Sequence, residues 1–149
     1  MSVVLGKAAK ADAGEIGNIL SQWNDEVDWM VRVHAPSEYL GYGELLIASS
    51  DVTVARDAGK VAGFLARHGE DIQALYLRPG YRGHGIGSDL LEMAKQKMTQ
   101  LGLWTFQSNS AARRFYARHG FVEDQLTDGL GNDEKLPDVH LSWERVEHG

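Results

Sequence analysis

The stretch Leu75-Tyr-Leu-Arg-Pro-Gly-Tyr-Arg-Gly-His-Gly-Ile-Gly-Ser88 constrains this chain most, because it runs from a strand through a glycine-rich turn straight into a helix. The strand reads as Ile72 to Leu77, stopped by Arg78-Pro79-Gly80. The helix reads as Ile86 to Leu101, with Ile86, Leu90, Met93, Lys97 and Leu101 along one side and Gly102 placed to end it. The first amides of a helix have no internal acceptor and sit at the positive end of the macrodipole, so such a turn suits a phosphate even without a basic side chain. Gly83, Gly85 and Gly87 let the backbone come close to a ligand in conformations that a Cβ would forbid, and Arg82 adds a charge-assisted contact.

Better-known glycine patterns do not fit these residues. A dinucleotide fingerprint needs glycine three positions after Gly85, where Ser88 stands, and a P-loop needs a lysine between Gly87 and Ser88. What does fit is Arg-x-x-Gly-x-Gly on Arg82, Gly85 and Gly87. Downstream, Asn109, Ala112, Tyr116 and Gly120-Phe121 spell N-x-x-A-x-x-x-Y-x-x-x-G-F. On these two motifs, in this order, the chain resembles the GCN5-related N-acetyltransferase (GNAT) superfamily. The match is close from Ile72 to Phe121, whereas the amino-terminal third agrees only in its order of elements.

Short apolar runs alternate with helical patterns and no linker interrupts them, so residues 1–149 read as one α/β domain. Val3 to Lys7 is a candidate first strand. Ala11 to Val31 carries Ile16, Leu20, Trp23, Val27 and Met30 at helical steps. Val52 to Arg56 and Val61 to Arg67 form an expected hairpin across Asp57-Ala58-Gly59-Lys60. After the central helix come a strand from Leu103 to Gln107, a short helix from Ser110 to His119 closed by Gly120, and a strand from Phe121 to Leu126. A loop from Thr127 to Pro137 precedes a last strand through Val139, Leu141 and Trp143, and is placed to shape a pocket rim. The resemblance implies a mixed, mostly antiparallel sheet of six to seven strands with about four helices and one splayed strand pair.

The resemblance also implies a chemistry. The cofactor is acetyl-CoA, with its pantetheine arm in the splay, paired with the backbone of Leu75 and Leu77 on either side of Tyr76. Its pyrophosphate lies on the turn Arg82, Gly83, His84, Gly85, Ile86, Gly87 and Ser88, while Asn109, in the second motif with Ala112, meets the pantetheine or helps position its helix. Tyr116 is the candidate donor to the leaving sulfur, since a tyrosine of ordinary pKa, about 10, keeps its proton at neutral pH. As bare sequence, Tyr116 also reads as a half-buried aromatic and Asn109 as a helix N-cap. An acceptor amine must lose a proton, and Glu70 and Asp71 are candidate bases, though the same pair suits a solvated turn. His140, on the last strand, is a second candidate for taking that proton at the acceptor site, though it also suits a strand position facing solvent.

The run Trp23-Asn-Asp-Glu-Val-Asp-Trp29 joins carboxylates to aromatic rings and suits a cationic amine. Asp28 and Trp29 lie off the apolar stripe and are candidate pocket residues, whereas Trp23 lies on it and reads as core. His34, His84 and His119 lack metal-site spacing and read as surface or turn residues, and no metal is expected. Arg113, Arg114 and Arg118 read as a solvated helix face. The absence of cysteine excludes a nucleophilic thiol and thiolate metal sites. A net charge of −6 argues against a nucleic-acid partner. No run approaches the roughly 20 apolar residues of a membrane span, and no secretory signal opens the chain, so a cytoplasmic protein is expected. The resulting expectation is acetyl transfer to a primary amine of a small molecule or peptide, with a non-catalytic acyl-CoA-binding module as the alternative. A homodimer is compatible with the resemblance.

Overall fold

The computed structural model describes residues 2–30 and 36–146. Seven strands form one sheet: β1 Val3–Lys7, β2 Asp51–Asp57, β3 Lys60–His68, β4 Asp71–Leu77, β5 Gln100–Phe106, β6 Val122–Leu126 and β7 Asp138–Glu144. Their spatial order is β1-β2-β3-β4-β5-β7-β6, antiparallel everywhere except between β4 and β5. Helices α1 Ala13–Glu26 and α2 Pro36–Ser49 cover one face, and α3 Ile86–Lys97 and α4 Ser110–Arg118 the other. This is the mixed sheet with four helices that the sequence led us to expect.

Strand alternation builds two cores from one sheet. Phe64 and Val54 point to α1, where they meet Ile16, Ile19 and Leu20. Leu65, Leu103 and Leu141 point the other way and meet Leu90 and Leu91 of α3 and Tyr116 of α4. The β2–β3 turn has positive φ at both Ala58 and Gly59, the geometry whose twist matches that of the strands it joins. Asp12, just before α1, is buried. Arg56 grips its carboxylate at 2.6 and 3.0 Å, and the Ala9 amide donates to it. Burial opposes its charge, but these bonds outweigh that and hold its carboxyl below the usual range.

Three expected boundaries differ. Helix α1 ends at Glu26 because Val27 is extended, so Val27 and Met30 continue the periodicity without the helix; Val31 lies outside the described residues, as does His34. Helix α2 had no counterpart in the sequence reading. Helix α3 stops at Lys97, where Met98 turns extended (φ −125°, ψ 153°), and Leu101 and Gly102 belong to β5. Gly102 is not a helix terminator. A Cβ there would lie 3.0 Å from His140 Nε2, so its small size makes room for a ring from β7.

Two features position the site. Strands β4 and β5 pair only at Asp71↔Gly102 and Ile72↔Leu103, then part, leaving a wedge-shaped gap inside the sheet. Helices α1 and α2 meet through glycine. A Cβ on Gly17 would lie 2.5 Å from the Tyr39 carbonyl oxygen, and one on Gly43 would lie 2.4 Å from that of Ala13. Among the described residues no helix is long and apolar enough to cross a membrane.

Candidate functional site

At the mouth of the gap, Gly83 and Gly85 adopt φ of 79° and 83°, and Gly85 caps α3 without any side chain to fill its first turn. Among the described residues, the main-chain N–H groups of Arg82, Gly83 and Gly85 have no backbone acceptor, and no side chain caps the first turn of α3. Those dipoles converge on solvent, which is the arrangement an anion needs. Arg82 lies beside them but folds back, donating to Glu26 at 2.7 Å and to the Leu77 carbonyl at 3.1 Å. His84 is an exposed turn residue.

The turn is fastened from behind by a residue read as ordinary surface. His119 Nε2 lies 3.0 Å from Ser88 Oγ, and the His119 carbonyl accepts from Lys95 Nζ at 2.5 Å, tying α3 to the end of α4. Burial, then Lys95 and Arg118, lowers the pKa of this imidazole, which therefore stays neutral. Arg113 is likewise no free solvated residue. It forks onto Glu123 with two 2.7 Å bonds and donates to the Gln107 carbonyl, fixing α4 to β6. Arg114 and Arg118 are exposed.

The gap opens into a cavity of about 200 Å³ lined by Leu75, Tyr76, Leu77, Arg82, Gly87, Asn109, Ala112 and Tyr116. A smaller recess of about 50 Å³ continues between β4 and β5. Asn109 both lines the gap and caps α4, its Oδ1 accepting from the Ala112 amide at 3.1 Å, so its two readings do not compete. Tyr116 is only 6% exposed, wedged edge-on between Phe115 and Phe121. Its hydroxyl has no hydrogen-bond partner among the described residues, and burial pushes its pKa upward. A proton held on a hydroxyl that opens on a cavity can be delivered there.

On the α1/α2 face, beyond Tyr76, lies a larger cavity of about 470 Å³. Trp23 and Tyr76, 5.2 Å apart between ring centroids, line both this cavity and the gap, so the two chambers share a wall. Trp23 is thus a wall residue and not interior core. Trp29 packs edge-on against Trp23 and Phe106 and backs that wall without lining it. Asp28 is exposed and does not line the cavity.

Other candidates stand elsewhere. Glu70 and Asp71 are exposed at the closed end of the wedge, Glu70 accepting from Gln100 at 2.7 Å; neither reaches a cavity. Register explains this, since Asp71 opposes Gly102 where β4 and β5 still pair. His140 is held by Asp124 at 2.7 Å against Trp104, away from both chambers. The carboxylates that do line the large cavity are Glu38 on α2 and Asp133 and Glu134 on the loop before β7. Sequence reading placed that loop on a rim but gave no reason to choose these residues. Among the described residues no cluster of ligating side chains suits a metal.

The turn makes a stability prediction. A Cβ on Gly85 meets open space, so alanine there costs only the left-handed backbone, about 1–2 kcal/mol. At Gly87 an added Cβ sits 3.5 Å from Phe115 in ordinary contact on a helix, where alanine is favoured over glycine by roughly 0.5–1 kcal/mol. Thermal unfolding should therefore show Gly85→Ala melting below the parent and Gly87→Ala at or above it. Equal melting of both variants would contradict this reading.

Comparison with known proteins fits this geometry. Residues 48–123 match the family model of the acetyltransferase (GNAT) domain. The peptidyl-lysine N-acetyltransferase YiaC of Escherichia coli K12 is 26% identical over 144 residues, spanning 93% of this chain and 97% of YiaC. Among solved structures, apo YjaB of Escherichia coli superposes with TM-score 0.75 at 21% identity over 95% of this chain and 97% of its own. The yncA protein of Salmonella typhimurium, solved with its cofactor acetyl-CoA, gives 0.73 at 18% identity over 100% and 97%.

Proposed function

The chain belongs to the GNAT acetyltransferase family, and from that membership we propose that it moves an acetyl group from acetyl-CoA directly onto a primary amine held in the aromatic cavity. One observation carries the reading: the gap between β4 and β5 has uncommitted amides at its mouth and the Tyr116 hydroxyl on its wall. The residues present suit coenzyme A. The amides of residues 82–88, with Arg82 released from Glu26, would carry the pyrophosphate, and the backbone of Leu75 and Leu77 would pair with the pantetheine beside Asn109 and Ala112. When bound, acetyl-CoA supplies an acetyl group on a thiol that can leave.

The protein's own part is positioning and proton handling. A main-chain amide near Leu77 is placed to polarise the thioester carbonyl. Tyr116 donates its proton to the departing sulfur. An alkylamine in water is almost wholly protonated, with about one molecule in a thousand neutral, so it must shed a proton before attack. That proton passes to the carboxylate-lined cavity and not to Glu70 or Asp71. A lysine side chain belongs to the acceptor class to test, given the named activity of the Escherichia coli relative. Acetyl-CoA is an intracellular metabolite, so this reading carries a cytoplasmic location with it.

A binding module without catalysis would need no second chamber, whereas here one of about 470 Å³ abuts the gap. The deciding experiment pairs thermal shift with thiol release. Acetyl-CoA at a hundred times its dissociation constant should stabilise the protein by about 2.7 kcal/mol, and a panel of amines and lysine peptides should release free thiol above the hydrolysis background. A shift without release would leave only the binding module, and no shift would remove the cofactor assignment.

A further inference from the structure

The wall of the large cavity is chemically one-sided. Five aromatic rings line it, from Trp23, Tyr39, Tyr42, Tyr76 and Phe106, with the carboxylates of Glu38, Asp133 and Glu134 and, among the described residues, no lysine, arginine or histidine. The loop bearing Asp133 and Glu134 is pinned in place. Asn132 donates to the Leu136 carbonyl at 2.8 Å, Lys135 to that of Leu130 at 2.8 Å, and Gln107 to the carbonyls of Thr127 and Asp138. Gly129, at φ 82°, has no space for a Cβ, which would fall 2.1 Å from the Leu136 oxygen. Glu134 therefore faces the tyrosines from a fixed scaffold. Burial first, and then its charge, raises the pKa of Tyr42; burial, Tyr42 and Glu134 in turn raise that of Tyr76. Among the described residues Glu134 has no ion-pair or hydrogen-bond partner.

Resting on the transferase reading above, we propose that this cavity selects a diamine-type acceptor: a primary amine on an apolar stem that carries a second positive group and no carboxylate. In transfer the amine nitrogen forms a bond to the acetyl carbon, the carbon–sulfur bond breaks, the amine gives up one proton and the thiolate gains one. The reacting nitrogen is neutral when it attacks, so it cannot hold the substrate by charge at that moment. A second ammonium can, against Glu134 and Asp133, while ring faces take the stem and add cation–π attraction. A substrate carboxylate would meet like charge here, with no counter-ion among the described lining residues, a penalty that discriminates between otherwise identical amines.

Cadaverine and lysine form the critical pair, since both carry two ammonium groups on the same stem and differ only by the carboxylate. With acetyl-CoA saturating, kcat/KM for cadaverine should exceed that for lysine by about tenfold or more, with pentylamine falling below cadaverine. Glu134→Gln should raise KM for cadaverine and shrink its advantage over lysine, leaving the acetyl-CoA thermal shift unchanged. Without cofactor, cadaverine should perturb intrinsic tryptophan fluorescence, through Trp23, at lower concentration than lysine does. Equal turnover of cadaverine and lysine overturns the acceptor rule alone, as does equal turnover of cadaverine and pentylamine. Failure of every acceptor tried to release thiol above the hydrolysis background overturns the transferase reading as well.

Discussion

Tyr116→Phe is expected to lower kcat by about a hundredfold or more, the usual contribution of a positioned proton donor, while the affinity for acetyl-CoA changes little. The variant keeps the ring that packs against Phe115 and Phe121, and it loses a hydroxyl with no protein partner among the described residues. Its melting temperature should therefore stay close to the parent's. Burial raises the pKa of Tyr116, so the donor keeps its proton at least through pH 10. The parent's rate should accordingly climb with pH as the acceptor amine deprotonates, without a descending limb from the tyrosine below pH 10. Steady-state kinetics across pH settles both points. A variant within twofold of the parent kcat would remove Tyr116 from the reaction.

The second large effect lies at the α1–α2 crossing. Gly43→Val places a branched side chain where a Cβ alone would be 2.4 Å from the Ala13 carbonyl oxygen. A backbone atom cannot swing aside as a side chain does, so α2 must lift from α1. Overpacking of this kind costs about 1–3 kcal/mol. Helix α2 also carries Tyr39, Tyr42 and Leu45 of the large cavity, whereas the turn and α4 lie across the sheet. The amine KM should rise by about tenfold, with coenzyme A affinity preserved. A variant that melts with the parent and keeps its amine KM would mean that the two helices are not set by this contact.

The same crossing shows why part of the fold was hidden in the sequence. Helix α2 meets its neighbour through Gly43, and it leaves Leu40, Tyr42 and Leu45 exposed, so it has no leucine stripe of the kind that betrays α1 and α3. The hairpin, the turn into α3 and the short α4 were legible because each depends on local chemistry: positive φ at Gly59 and Gly85, and capping by Asn109. Leu101 misled because it sits at a helical step from Lys97 and also alternates correctly within β5; only tertiary pairing with Trp143 decides between them. The residues proposed for the cofactor are nearly contiguous, from Leu75 to Ser88 and from Asn109 to Tyr116, so a sequence motif can name them. The proposed acceptor cavity is assembled from α1, α2, β4, β5 and a loop about sixty residues beyond β4. No period or spacing links Glu134 to Tyr76, and so the sequence points to Glu70 and Asp71, near the central strand, whereas the carboxylates lining the large cavity are brought close only by folding.

Since β4 and β5 are laced by just two residue pairs, Asp71 with Gly102 and Ile72 with Leu103 form, among the described residues, the one corner at which strands of the sheet's amino- and carboxy-terminal leaves pair by backbone. Past that corner, the leaves depend on the apolar filling under α3 and α4 to stay in register with each other. A molecule with amide groups of its own, slid into the opening, would act as a missing rung, making occupancy of the cleft and rigidity of the whole sheet one and the same event.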